Sequence, residues 1–420
     1  MADTRNILVY YDGEQVDSPL LMGTLACDHI RGKEIFSFEF DASWLSDRRF
    51  RSFDPDLQMF GGKQYVPQGK DNFGIFLDST PDRWGRVLLE RREAEMARLE
   101  KRKVRNLYET DYLLGVYDGS RMGALRFKTD PSGEFLDNDS EMATPPWTSL
   151  RELENASLHL EDCPEVQQSK WLRMLVAPGS SLGGARPKAN VMHADGSLWI
   201  AKFPSRKDRR DVGAWEAVCC DMAIKSGIKV SDFKTERFND RYHTFLTKRF
   251  DRTNEGRRRQ FTSAMTLLGY ADGERSEGAS YLEIAEWIQR HCMNVDENLM
   301  ELFRRIVFNI AVSNCDDHLR NHGFIYSPKG WDLSPAYDLT PDPAGYGLKL
   351  NISETDNSLD YDLALSITPY LGIKKDRAAA IVKQIKSVVA EWRKVAKRYG
   401  ISNSEQDLKT HSDTDKSRCE

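Results

Sequence analysis

The chain has 420 residues, 30% of them charged and 40% apolar, with 60 Lys and Arg against 65 Asp and Glu for a formal net charge of -5. This is an ordinary globular composition, long enough for roughly two or three domains with cores of their own. It excludes an overall basic field that would draw the protein onto nucleic acid or an anionic membrane, and no apolar run approaches the length of a membrane span.

In chain order, residues 6–11 form an apolar run closed by Asp12-Gly13, a strand followed by a turn. Residues 35–40 also read as a strand. The stretch from Asp82 to Arg102, rich in Arg, Leu, Glu and Ala, predicts a long exposed helix. Breakers crowd residues 130–148 and mark the first expected boundary. Strands at 190–193 and 197–203 should pair across Ala194-Asp195-Gly196. A helix from Gly213 to Ser226 should stop at Gly227, and Arg241 to Arg249 returns to strand.

After Phe261 the chain reads as mainly helical. Leu299, Leu302, Phe303, Ile306, Val307 and Ile310 share one helical stripe that runs straight into an acidic loop. Ile381, Ile385, Val388, Val389 and Trp392 make another stripe. The polar residues at the C-terminus predict a frayed tail. The expected domains are 1–145, a β-rich small lobe at 146–252, a helical lobe at 253–405 and a flexible tail at 406–420.

Chemistry concentrates in Asn314-Cys315-Asp316-Asp317-His318-Leu319-Arg320-Asn321-His322-Gly323-Phe324, followed by Ser334-Pro335-Ala336-Tyr337-Asp338-Leu339. Phosphoryl transfer needs a carboxylate that orients the attacking hydroxyl, and an amide oxygen and second carboxylate that hold a metal on the nucleotide phosphates. Protein kinases separate the catalytic Asp and the metal-binding Asn by five positions, as Asp316 and Asn321 are here. Asp316 is therefore the candidate base, with Asn321 and Asp338 the candidate metal ligands. Asp317 beside it lacks that separation and is disfavoured, and Asp332 reads as an exposed hairpin residue. His318 could reach a phosphate or brace the loop, and bracing is favoured because this chemistry needs no imidazole.

Upstream, Pro178 to Ala189 carries Gly179, Gly183 and Gly184, whose exposed N–H groups could form an anion-binding nest that is neither a Walker loop nor GxGxxG. Lys202 ends a strand where a lysine can neutralise phosphates, and Glu216 in the next helix is the carboxylate that chain order assigns to it. The alternative for Lys202 is an exposed strand-end lysine. Lys248 to Phe250 closes the small lobe, and Phe250 either packs on a base or fills the core. Seven scattered cysteines with no CxxC pair argue against a zinc ribbon or a disulfide framework. The N-terminus lacks a signal-peptide pattern, so a cytoplasmic protein is expected.

Taken in order, Ser180-Ser181-Leu182-Gly183-Gly184-Ala185-Arg186-Pro187-Lys188-Ala189, Ala201-Lys202-Phe203-Pro204, Lys248-Arg249-Phe250-Asp251-Arg252, the Asn314–Phe324 loop and the Asp338 segment resemble the motifs of HipA-family kinases. These are serine/threonine-protein kinase toxins of bacterial toxin–antitoxin systems. The resemblance covers residues 175–345 well and the first 130 more loosely. It implies an α+β, protein-kinase-like two-lobe fold, with a β-rich N-terminal region and small lobe before an all-helical C-terminal lobe. It also implies ATP and Mg2+ as cofactors, Asp316 as catalytic, and Asn321 and Asp338 as metal ligands. Ser181, Gly183, Gly184, Ala185, Lys188, Lys202, Lys248, Phe250 and His318 would then line the nucleotide site. Ser181, or Ser180 beside it, falls where the family is autophosphorylated; a phosphate there would bring roughly -1.5 to -2 charges into a loop meant to cradle phosphates. Lys248 stands where an acidic residue is expected, which weakens any side-chain contact to adenine. Implied partners are a protein substrate, aminoacyl-tRNA synthetases being among the family's, and a helix-turn-helix antitoxin that makes any DNA contact. Two other readings are a kinase of a small molecule or lipid and a catalytically silent co-repressor.

Overall fold

A computed structural model describes residues 3–139, 143–162, 175, 186–239, 241–271, 273, 277–342 and 345–407. The chain divides into two compact units, one of Met1–Arg206, Asp251–Ala271 and Ile325–Pro328, the other of Lys207–Phe250, Asp272–Phe324 and Lys329–Glu420. Among the described residues no helix is long and apolar enough to cross a membrane.

The first unit is built on a five-stranded sheet of β1 (Asp3–Tyr11), β2 (Leu20–Ile30), β3 (Lys33–Phe40), β4 (Gln64–Tyr65) and β5 (Leu125–Lys128), ordered β4-β3-β2-β1-β5. Both pairings of β1 are antiparallel, with Ile7 opposite Leu25 and Leu8 opposite Lys128. The apolar run of β1 resolves into alternation: Ile7, Val9 and Tyr11 are buried, while the residues between them are only partly covered, the period of a strand with one face on a core. Tyr11 packs with Trp44, Phe50 and Phe53, and the Trp44 and Phe50 rings stack at 3.9 Å.

The expected long helix is Arg83–Leu99, shorter than the pattern suggested. Lys101 adopts a left-handed φ of 53° and Arg102 N–H reaches back to Ala97 O at 2.9 Å, which ends the helix. Its expected exposure is corrected: Trp84, Leu88, Leu89, Glu93 and Ala97 form a buried stripe. Asp82 caps its start by accepting the Gly85 N–H at 2.8 Å.

β6 (Lys188–Met192) and β7 (Leu198–Lys202) form the expected antiparallel hairpin, with Lys188 opposite Lys202. Asp195 shapes its turn by accepting the Ser197 N–H at 2.9 Å, and Gly196 supplies the positive φ of 82°. The breaker-rich stretch before it is not an edge of either unit. Met192 N–H bonds Pro145 O at 2.8 Å, and Trp147 packs on His193 and Trp199 at 5.0 and 5.4 Å, which stitches that stretch to the hairpin.

Two like charges directly opposite on a hairpin repel. Lys188 is relieved by an ion pair with Asp82 at 2.7 Å, the side chains 3% and 2% exposed, and its carbonyl accepts the Trp84 indole N–H at 3.2 Å. An Asp82→Ala variant should lose about 3–5 kcal/mol, because it breaks a buried ion pair and removes a helix cap; denaturant unfolding of wild type and variant measures this.

The second unit is mainly helical, but the all-helical lobe expected over 253–405 is corrected, because strands Gln260–Ser263, Gly323–Ser327 and Gly330–Leu333 fall within that range. Its principal helices are Val212–Lys225, Tyr281–His291, Val295–Val312, Tyr361–Ser366, Lys375–Ala390 and Trp392–Arg398. The apolar stripe of Val295–Val312 is buried as its spacing requires. Trp392, expected to continue the stripe of Ile381 to Val389, begins a separate helix after Glu391. Gln406, the first residue of the expected tail, is wholly buried and donates to Ile401 O at 2.8 Å, while residues 408–420 lie outside the described residues.

Candidate active site

Helix Val295–Val312 ends immediately before the acidic loop. Ser313 closes it in the left-handed region at φ 54°, and Asn314 N–H returns to Asn309 O at 2.9 Å. Asp338 lies in the same region at φ 59°. Among the described residues only four non-glycine positions do so, and these two bracket the site, as strained backbone tends to do where function over-determines it.

The two neighbouring aspartates differ sharply. Asp317 is 3% exposed, and its Oδ2 accepts from Tyr281 Oη at 2.6 Å, Asn309 Nδ2 at 2.8 Å and His322 Nε2 at 2.8 Å. Burial alone would push its carboxyl up. The charge of His322 and the hydrogen bonds from His322 and Tyr281 outweigh that and hold it below the ordinary value. Burial, with the nearby Asp317 charge, in turn holds the Tyr281 phenol far above its ordinary value. Asp317 is therefore the internal anchor of the loop. Asp316 is exposed, and its carbonyl accepts Asn321 Nδ2 at 3.2 Å. That bond orients the amide of Asn321 with its nitrogen toward the loop, so that its oxygen is the atom that could meet a cation.

Asn321 is 6% exposed and ends a short turn, Leu319–Asn321, that His318 caps: Asn321 N–H donates to His318 O at 2.8 Å. The His318 side chain makes no cap bond to this turn, and its Nδ1 is buried without a hydrogen-bond partner among the described residues.

The segment leading to Asp338 is tied down in steps. Leu333 N–H donates to Asn298 Oδ1 at 2.8 Å, and the buried Glu301–Arg305 pair of the same helix holds Ser334 O. Ala336 N–H meets Lys229 O at 2.7 Å, and Tyr337 Oη donates to Arg320 O at 2.6 Å, joining this segment to the acidic loop. Beyond Asp338, Asp342 N–H returns to Ser313 O at 2.8 Å. Asp332, expected to be exposed, is half-buried and accepts from Asn298 Nδ2 at 2.8 Å. Phe250 faces Tyr337 with ring centroids 5.6 Å apart, and Lys248, half-buried, ends a strand with its N–H on Asp232 O at 2.8 Å.

Asp316, His318, Asn321, Asp338, Lys248 and Phe250 all belong to the second unit. Lys202, half-buried at the end of β7, belongs to the first. Lys188, also in the first unit, pairs its ammonium with Asp82 at 2.7 Å. Ser180, Ser181, Gly183, Gly184 and Ala185 lie outside the described residues. The Lys-Arg-Phe-Asp-Arg motif divides. Its Asp251 is wholly buried, accepts the Gly123 N–H at 2.9 Å and pairs with Arg252 at 2.6 Å, both within the first unit.

Among the described residues no three His, Cys, Asp or Glu side chains cluster as a closed metal cage. One carboxylate and one amide suit instead an oxygen-loving divalent ion that takes its remaining ligands from water and phosphate, as Mg2+ does. Tyr281, Asn309 and His322 escaped the sequence reading. The signal was present at Asn309, an amide inside the apolar run Phe308-Asn309-Ile310 of a buried helix.

Residues 180–392, just over half of the chain, match the family model of the HipA-like C-terminal domain. A Haemophilus influenzae protein bearing the provisional name of kinase is 33% identical over 198 residues, 42% of this chain and 57% of that protein. The serine/threonine-protein kinase toxin HipA of Shewanella oneidensis is 25% identical over 187 residues, 39% of this chain and 43% of the toxin. These matches span about half the length of the curated relatives. A solved structure of the Shewanella oneidensis HipA, with HipB and operator DNA, aligns over 98% of this chain and 95% of that one, with a TM-score of 0.65 at 19% identity. The expected α+β, protein-kinase-like fold class is thereby shown, and the chain belongs to the HipA family through its HipA-like C-terminal domain.

Proposed function

We propose that the protein is an ATP- and Mg2+-dependent serine/threonine-protein kinase that acts as a growth-arresting toxin. The observation that carries this reading is the division of labour at 316–321. Asp317 is locked inside, Asp316 faces outward, and Asn321 is fixed to the Asp316 carbonyl. A carboxylate held on a rigid loop, with its side chain exposed, is suited to orient a substrate hydroxyl and accept its proton. Asn321 and Asp338 would hold the metal, which when bound neutralises charge on the phosphate oxygens. Lys202 would contact phosphate, and Lys248 to Phe250 would line the adenine pocket through backbone groups. Ser181, or Ser180, is the proposed site of autophosphorylation.

The Shewanella oneidensis protein was solved with HipB and operator DNA. By analogy, a helix-turn-helix antitoxin would neutralise this chain and carry its DNA contact, which suits a net charge of -5. A cytoplasmic location and a target in translation, such as an aminoacyl-tRNA synthetase, belong to the same reading. Incubating the purified chain with γ-labelled ATP and cell lysate tests it. Label is expected on protein serine or threonine. Label on metabolites or lipid alone would overturn the protein-kinase reading, and no transfer at all would favour a silent co-repressor.

A further inference from the structure

We infer that the C-terminal segment 392–407 is a positioning element for catalysis, with Glu405 its principal residue, acting through the helix that carries Glu216. The inference rests on the kinase reading above. Helix Val212–Lys225 follows Asp211, whose side chain caps it by accepting the Ala214 N–H at 3.1 Å. Glu405 Oε1 accepts the Asp211 backbone N–H at 2.9 Å and the Trp215 indole N–H at 2.7 Å. Further along, Asp221 Oδ2 accepts from Arg398 at 2.8 Å and from Tyr399 Oη at 3.1 Å. The C-terminal segment therefore grips this helix at its first turn and again past its middle.

The opposite side leaves no slack. A Cβ on Gly213 would lie 2.2 Å from His243 O, so the helix start is already in backbone contact with the chain entering strand Thr244–Lys248. Asp211 also accepts the His243 N–H at 3.0 Å. One residue of an α-helix turns about 100° and rises ~1.5 Å. Fixing the indole of Trp215 therefore fixes the rotation of the helix and the direction in which Glu216 projects. Glu216 is 3% exposed and is the carboxylate that the kinase reading names on this helix. In kinases, placement of the helix bearing that glutamate controls whether the strand lysine is set for phosphoryl transfer. Glu405 is a positioning residue, not a catalytic one.

The test measures phosphoryl transfer by the full chain in a double-mutant cycle. Glu405→Ala should lower kcat at least tenfold while the chain still unfolds cooperatively. Glu405→Gln, which keeps an acceptor oxygen, should recover most of that loss. In a Glu216→Gln background, Glu405→Ala should change the rate no further. The inference fails if Glu405→Ala keeps the wild-type kcat, if it lowers the rate equally in both backgrounds, or if Glu216→Gln alone has no effect. An inactive wild-type chain would overturn the kinase reading and this inference together; an active one that ignores Glu405→Ala would overturn this inference alone.

Discussion

An Asp316→Asn variant is expected to lose between about 100- and 10,000-fold in phosphoryl transfer, the range for removing a positioned general base, with unfolding free energy within about 0.5 kcal/mol of wild type. The structural half of this expectation follows from exposure. Asp316 faces solvent, and Asn321 holds it through its backbone carbonyl, which the substitution leaves in place. Steady-state rates with a fixed protein substrate, alongside denaturant titration, measure both quantities. A variant as active as wild type would remove Asp316 from the chemistry and return the choice to its neighbour.

The neighbour should behave in the opposite way. Asp317→Ala is expected to cost about 3–5 kcal/mol of stability, the cost of breaking a buried charge pair, because three donors would lose one acceptor at once. Activity should fall with it, since Asn309 lies on the helix that enters the loop and His322 directly follows Asn321. The pH dependence follows from the lowered carboxyl value. The fold favours the ionised form, so the contribution is full above the ordinary carboxylate range and is lost as pH falls through the lowered value. Thermal unfolding of wild type and Asp317→Asn between neutral and acidic pH checks this: the difference between them should narrow as pH falls. Equal stabilities at neutral pH would contradict the anchoring role.

How much of this was legible in the sequence depended on how local the signal was. The β6–β7 hairpin announced itself because Asp195 and Gly196 make its turn between apolar runs. The Val295–Val312 stripe was clear because a buried helix face repeats over several turns. The spacing to Asn321 distinguished Asp316 from Asp317 in the sequence, and the structure exposes the first and buries the second. β2 was missed because Leu20–Ile30 interrupts its alternation with Gly23, Ala26 and Cys27, and its burial does not follow a clean period of two. The partners of Asp317 were missed for a different reason. Tyr281 is 36 residues away in the chain and meets the carboxylate only after a capping box at Ser280 and Glu283 sets the start of its helix. The ion pair of Lys188 with Asp82 was missed because the two residues lie far apart in sequence. Long-range pairing of buried charge leaves no periodic trace in a single sequence.

The most direct measurement is calorimetric titration of ATP into the full chain, with and without Mg2+, for wild type and Asp338→Asn. Tight uptake by the wild type only when the cation is present, and its loss in the variant, is the predicted result. Equal uptake by both proteins, or uptake indifferent to Mg2+, would contradict the assignment of Asn321 and Asp338 as the groups that hold the ion.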